Sequence, residues 1–179
     1  KRLFISLLVL AIVCFFVQRV FSDSDIIFNP ANGHSYKRFD QTMTWHAARS
    51  FCEVIDSHLA TITSQAENDF IYDNLVSGSP TDCWLGGTDD LVEGEWQWIT
   101  GEAWDVENWA TGEPNDGTGD GQDYLNIYTT GVWDDAGPPG YPDDSLSFVC
   151  EWDSTTPAGD VYYASLAGSH IARLDLKTG

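Results

Sequence analysis

Carboxylates constrain this chain more than any other feature. Residues 23–153 contain 26 Asp and Glu but only three basic side chains, Lys37, Arg38 and Arg49, for a net charge of −23. Charge of that order opposes compaction unless it is solvated, screened or neutralised by bound cations. It also excludes a class of partner. Contact with a phosphate backbone needs a Lys/Arg surface, so no nucleic-acid partner is expected. Scattered surface acids account for part of the charge, whereas site chemistry has to show as clustering, and the acids do cluster. The chain is not composed like a disordered one. Of its 179 residues 42% are hydrophobic, and 8 Trp, 7 Tyr and 9 Phe supply the core of one domain.

The two ends read differently from the middle. Lys1 and Arg2 precede a nearly unbroken apolar run, Leu3 to Val17, with small-residue spacing at Val20 and Ser22. This pattern predicts a secretory signal peptide over 1–22 and a secreted, extracellular location for the rest. The run is shorter than the roughly 18–20 residues a spanning helix prefers, so membrane association is expected only if the segment stays uncleaved. At the other end, Ser154–Gly159 has a linker composition. Residues 160–179 then alternate around Gly168-Ser169 as a hairpin would, and this segment resembles a partial blade of a streptogramin-lyase-like or NHL-type propeller.

Between the ends, two helices precede many short strands. Thr44 can cap a helix reaching about Ile55, with Trp45, Ala48, Phe51 and Cys52 on one stripe. Ser64-Gln65-Ala66-Glu67 is a capping box that opens a second helix toward Leu75, with Phe70 and Ile71 facing inward. Strands are predicted at Cys83–Leu85, Glu95–Ile99, Tyr124–Ile127 and Ser147–Trp152. Residues 100–123 and 134–146 read as long irregular loops, which inside a domain are usually functional or ordered by an ion. The class is α+β. A bridge between Cys52 and Cys150 would tie the two ends of the domain, worth up to about 4–5 kcal/mol for so long a loop. Cys83 is left over; a buried free thiol is expected, with an intermolecular bridge as the alternative. Histidines 34, 46, 58 and 170 are scattered without ligand spacing, so solvated or capping roles are expected and no zinc site is evident. Trp45, Trp84, Trp98 and Trp152 are expected in the core, with Trp104 and Trp109 packed beneath the loops.

The informative stretch runs from Trp84 to Trp152. It contains Trp84-Leu85-Gly86-Gly87, Thr88-Asp89-Asp90-Leu91-Val92-Glu93, Glu113-Pro114-Asn115-Asp116, Gln122-Asp123-Tyr124, Trp133-Asp134-Asp135 and Phe148-Val149-Cys150-Glu151, preceded by His58-Leu59-Ala60-Thr61-Ile62-Thr63-Ser64. In this order the motifs resemble a C-type lectin-like domain over residues 28–153. The resemblance implies the C-type lectin fold: two helices with small antiparallel sheets and a long calcium-binding loop region. The bottom-up chemistry agrees, because calcium takes about 6–8 oxygen ligands and Glu113, Asn115, Asp116, Asp120, Asp123, Asp134 and Asp135 fall where loops could bend around an ion.

What the resemblance implies for function is a sugar-binding Ca2+ site. Glu113, Asn115 and Asp135 match metal-binding positions of the family, Glu113-Pro114 with a cis bond. Glu113 and Asn115 would also contact a vicinal hydroxyl pair of mannose-, glucose-, N-acetylglucosamine- or fucose-type glycans. This sequence departs from the family at two places: Gln122 stands where Glu is usual, and Asp134 where Asn is usual. The formal ligand charge is unchanged, and the exchange would swap donor for acceptor toward the sugar. The loop before Gln122 is one residue longer than in common members, which makes Asp120 an alternative ligand. Asp89, Glu93, Asp116 and Asp123 match an auxiliary calcium site. A second family disulfide is missing, with Tyr124 in place of the loop cysteine, so the loops from 113 to 146 are expected to depend on the cation for order. Catalysis is not expected, since calcium-held carboxylates are poor proton carriers. Two other readings remain: a protein- or ice-binding domain with structural calcium, and the targeting module of a larger extracellular enzyme. Shallow sugar sites bind weakly, so an oligomer would add avidity. Tyr141 is a further candidate for ligand contact.

Overall fold

Alternation along the central strands determines how this chain is layered. The computed structural model describes residues 24–117, 121–137 and 145–153, and the backbone of 161–164 and 171–174. In chain order the elements are β1 (Ile27–Phe28), β2 (Ser35–Met43), α1 (Trp45–Val54), β3 (His58–Leu59), α2 (Gln65–Ile71) with a π-helical turn (Tyr72–Val76), β4 (Cys83–Thr88), β5 (Gln97–Trp98), β6 (Tyr124–Ile127), β7 (Trp133–Ala136) and β8 (Leu146–Trp152), followed by β9 (Val161–Ala164) and β10 (Ile171–Leu174). Strands β1 to β8 form one sheet in the order β1-β2-β8-β4-β6-β7, with β3 beside β8 and β5 beside β4. The late strand β8 inserts between β2 and β4 and runs parallel to β4, with Cys83 opposite Ser147. The expected small antiparallel sheets are therefore one mixed sheet.

Both faces of that sheet are buried. Phe148, Cys150 and Trp152 of β8 and Trp84 of β4 pack with Trp45, Ala48, Phe51 and Cys52 of α1. Val149 and the β4 residues Cys83 and Leu85 point the other way, toward Ile71, Leu75 and Val76. Successive strand residues alternate faces, so one helix covers each side. The Cys52–Cys150 disulfide forms within the first layer, 98 residues apart in sequence, and Cys83 is a buried free thiol.

The helix caps act as expected, with one difference. Thr44 Oγ1 accepts from Ala47 N, and Ser64 Oγ accepts from Glu67 N. The Glu67 carboxylate does not simply complete a box on Ser64. It accepts from Thr63 N at 2.8 Å and from Tyr36 Oη at 2.5 Å, which draws Glu67 into the interior. Strand β2 was not evident in the sequence because Lys37, Arg38 and Asp40 interrupt its apolar pattern; Arg38 is held by Asp40 and the Leu75 carbonyl. Trp45, Trp84, Trp98 and Trp152 are core residues, and Trp104 and Trp109 pack against the second core layer. Strands β9 and β10 pair antiparallel, with Val161 opposite Leu174, as the predicted hairpin requires. The signal-peptide and linker readings, and those for Asp120 and Tyr141, lie outside the described residues.

Candidate functional site

Strand β7 organises the first carboxylate cluster. Trp133 anchors it: its indole is fully buried and donates from Nε1 to Asn68 Oδ1 at 2.8 Å. Asp134 and Asp135 follow on that strand, which corrects the expectation that they lie in an irregular loop. Neighbouring strand residues face opposite sides. β7 ends the strand order, so both carboxylates can be approached around its outer edge. The incoming chain runs along that edge, with Trp133 N donating to Asn108 O and Ala110 N to Trp133 O. It then delivers Glu113, whose peptide bond to Pro114 is cis.

The Asp135 carboxylate is 1% exposed and captures the turn that follows. It accepts from Asn115 N at 3.0 and 3.1 Å and from Asp116 N at 2.6 Å. Asp116 itself adopts φ +53°, a left-handed conformation that Asp tolerates better than most residues. Asn126 Nδ2 donates to Asp134 Oδ2 at 3.3 Å from the facing position on β6. One ligand oxygen from each of Glu113, Asp134 and Asp135 falls within 4.8 Å of the others. Burial, a hydrogen bond to Asp135 and the charges of Asp134 and Asp135 raise Glu113 to about 7. Burial foremost also raises Asp134. Glu113 Oε2 is buried without a hydrogen-bond partner.

Asn115 joins this cluster through its backbone, and its Oδ1 accepts from Gly117 N at 2.6 Å. Gln122 approaches from the return strand of the loop: its N–H donates to Asp116 Oδ1 at 3.0 Å, and its side-chain amide lies where a Cβ on Gly117 would collide with it. Glycine, here at φ +48°, lets that amide keep its place; a larger residue would displace it.

A second group of acids adjoins the first. Asp89 is 2% exposed; its N–H donates to Asp123 O, and its Oδ2 accepts from Gly94 N at 2.9 Å. Asp89 Oδ1 is buried and unpartnered. Glu93 is raised first by the charge of Asp89, then by burial and by Asp116 and Asp123. Burial, then Asp90 and Asp116, raise Asp123. The four acids named for the auxiliary site thus feel one another's charge, with Asp116 shared between the two groups through the loop.

A divalent cation fits this donor set. Each cluster has a buried carboxylate oxygen with no protein donor, and raised carboxylates mark a place where positive charge is lacking. Hard oxygen donors on loop and strand ends suit calcium better than a transition metal.

Residues 41–152 match the Lectin C-type domain family over more than half of the chain. The chain belongs to the C-type lectin domain family. A hepatic lectin of Gallus gallus is 35% identical over 113 residues, 61% of this chain and 50% of that protein. The chain therefore spans half the length of that curated relative. The cow C-type carbohydrate-recognition domain of CD23, solved in the presence of a GlcNAc2Man3 oligosaccharide, superposes with a TM-score of 0.63 at 28% identity, covering 73% of this chain and 95% of that one. A calcium-independent type II antifreeze protein is also similar, with a TM-score of 0.58 at 26% identity over 72% of this chain and 95% of that one. This C-type lectin domain has the fold expected from its motifs, and its membership agrees with its reading as a non-enzyme.

Proposed function

We propose that this C-type lectin domain binds glycans through Ca2+ held at the edge of β7, and that it acts outside the cell. The observation that carries the reading is the convergence of Glu113, Asp134 and Asp135, together with a buried Glu113 Oε2 that has no hydrogen-bond partner. Glu113, Asn115, Gln122, Asp134 and Asp135 would hold the ion, with Asp89, Glu93, Asp116 and Asp123 holding a second, supporting one. The bound cation supplies positive charge to which two adjacent sugar hydroxyls can add as ligands. Around it, the acids accept hydrogen bonds from those hydroxyls and the Asn115 and Gln122 amides donate to them. That arrangement suits the vicinal hydroxyls of mannose-, glucose-, N-acetylglucosamine- or fucose-type termini.

A glycan array probed with the purified protein, with calcium and then with chelator, tests the proposal. Calcium-dependent signal on those glycans is expected. Silence in both conditions overturns it. In a second comparison, Gln122→Glu combined with Asp134→Asn is expected to shift sugar preference. Unchanged preference refutes the exchange of donor and acceptor. The likeness to a calcium-independent antifreeze protein favours a second reading, binding of ice or protein. Ice-growth inhibition or a protein partner that sugar does not displace, without any array signal, would establish that alternative.

A further inference from the structure

Two residues behind Asp134 set it apart from the other acids of its cluster. Strand β6 pairs with β7 so that Asn126 faces Asp134 and Ile127 faces Trp133. The hairpin then closes over residues 129–131: Gly131 N donates to Tyr128 O and Tyr128 N to Val132 O, each at 2.8 Å. Its tip is tied down by Asn108 Nδ2, which donates to the Gly131 carbonyl at 2.7 Å. Residues two apart on a strand share a face, so Asn126 and Tyr128 both stand on the side to which Asp134 points. Asn126 Nδ2 donates to Asp134 twice, to the carboxylate Oδ2 at 3.3 Å and to the backbone carbonyl at 3.2 Å. The Tyr128 hydroxyl donates to the same carboxylate. Burial, this bond and the charges of Asp134 and Glu113 raise Tyr128, so its hydroxyl borders the cluster.

The sheet alone gives Asn126 no reason to be polar. It is 2% exposed, and its Oδ1 is buried without a hydrogen-bond partner. Such an atom costs stability, and an apolar residue of similar shape would remove that cost. Both bonds that its amide donates go to Asp134, and at this depth it cannot reach a ligand itself. A local loss of stability kept beside a candidate ligand marks service to the site. The chemistry of Asp134 fits. A carboxylate has about four acceptor positions on its two oxygens, so it can take both donors on the sheet side and keep positions free. Ligand oxygens of Glu113 and Asp135 lie within 4.8 Å of its own.

We propose that Asn126 and Tyr128 are positioning residues of the cation site, holding Asp134 in the orientation in which it ligates. This rests on the calcium reading of the site and extends it to two residues outside the ligand set. Partners of this kind fix the geometry of a metal ligand and favour its ionised form. They also bear on the departure at position 134. Asparagine, usual there in the family, has one acceptor oxygen with two lone pairs for three partners, whereas Asp134 can serve both donors and still present an oxygen to the ion. No sequence motif marks Asn126 or Tyr128, because only the pairing of β6 with β7 brings them to Asp134.

Calorimetric titration of calcium into the purified chain and two variants is the test. Tyr128→Phe keeps the ring and loses the hydroxyl; Asn126→Leu keeps the bulk and loses the amide. Each is expected to weaken calcium binding about 10-fold or more, since loss of such a partner is worth about 10–100-fold. Urea unfolding in chelator separates positioning from a structural role. The Asn126→Leu midpoint is expected at or above the parent's, because the unpartnered oxygen is gone. Parent-like calcium affinity in either variant overturns the proposal for that residue, and so does an Asn126→Leu loss matched by a lower midpoint in chelator. Tyr128→Phe keeps the proposal testable even where Asn126→Leu does not fold. A parent chain that takes up no calcium overturns the calcium reading and this inference together. Calcium uptake that both variants weaken supports the inference even where the glycan array is silent.

Discussion

Asp135 shows how one side chain can serve both fold and site. Its carboxylate accepts N–H bonds from Asn115 and Asp116 while lying in the cluster with Glu113 and Asp134. Asp135→Ala leaves those two N–H groups without their acceptor, and an unsatisfied buried group costs about 1–3 kcal/mol. The variant should lose calcium-dependent glycan binding and also lower the urea midpoint in chelator, where no metal contributes. A midpoint equal to the parent's in chelator would restrict Asp135 to metal binding alone. Gly86 poses a purely steric problem at the same scale. A Cβ there would lie 2.7 Å from the Leu59 carbonyl oxygen, which belongs to backbone and cannot swing aside. Gly86→Ala is therefore expected to destabilise by about 1–3 kcal/mol, the usual range for overpacking, measured by denaturant unfolding; a change below that range would mean that β3 and β4 separate easily.

At the scale of elements, the order of the acidic loops can be separated from the order of the sheet. Strands β2 and β8 are joined by their ladder and tied to α1 through the Cys52–Cys150 bridge, and neither element draws on the carboxylate clusters. Residues 113–117 are held mainly by Asp135 and by mutual loop contacts. Chelation should therefore open limited proteolysis between Glu113 and Gly117 while leaving β2 and β8 intact; identical digestion with and without calcium would contradict this. The same division explains what the sequence revealed. Helix α1, its Thr44 cap, β6 and β8 were legible because stripe, cap and alternation all pointed one way. Strand β2 was not, since its charged residues are satisfied by tertiary partners such as the Leu75 carbonyl. The Asp134-Asp135 pair looked like loop because its burial depends on Trp133 behind it and on the distant 108–116 segment in front. Motifs located the carboxylates of the candidate site, but the His34–Glu151 and His58–Asp153 pairs arise only from strand register.

For the whole molecule, the excess of acid makes stability depend on pH in opposite directions with and without metal. Without calcium, Glu113 is raised from an ordinary 4.5 to about 7, and Asp89, Glu93, Asp123, Asp134 and Glu151 are raised as well. A carboxyl raised in the folded state holds its proton more tightly there than in the unfolded chain. Raising pH through that interval therefore removes protons from the unfolded chain first and destabilises the fold. His58 acts in the same direction: it too is raised, so its contribution is present below the ordinary histidine value and is lost as pH climbs past the folded one. The metal-free melting temperature should accordingly fall between about pH 4.5 and pH 7, the span of the Glu113 shift. With saturating calcium the slope should reverse, because the ion binds the deprotonated carboxylates and adds its binding free energy to the folded state. Thermal unfolding across that interval, in chelator and in calcium, reads both slopes on one protein. Parallel curves would show that the raised carboxylates are not the ones that take up the metal, whereas curves that cross would locate the pH above which the cation, and not protonation, holds the acidic loops together.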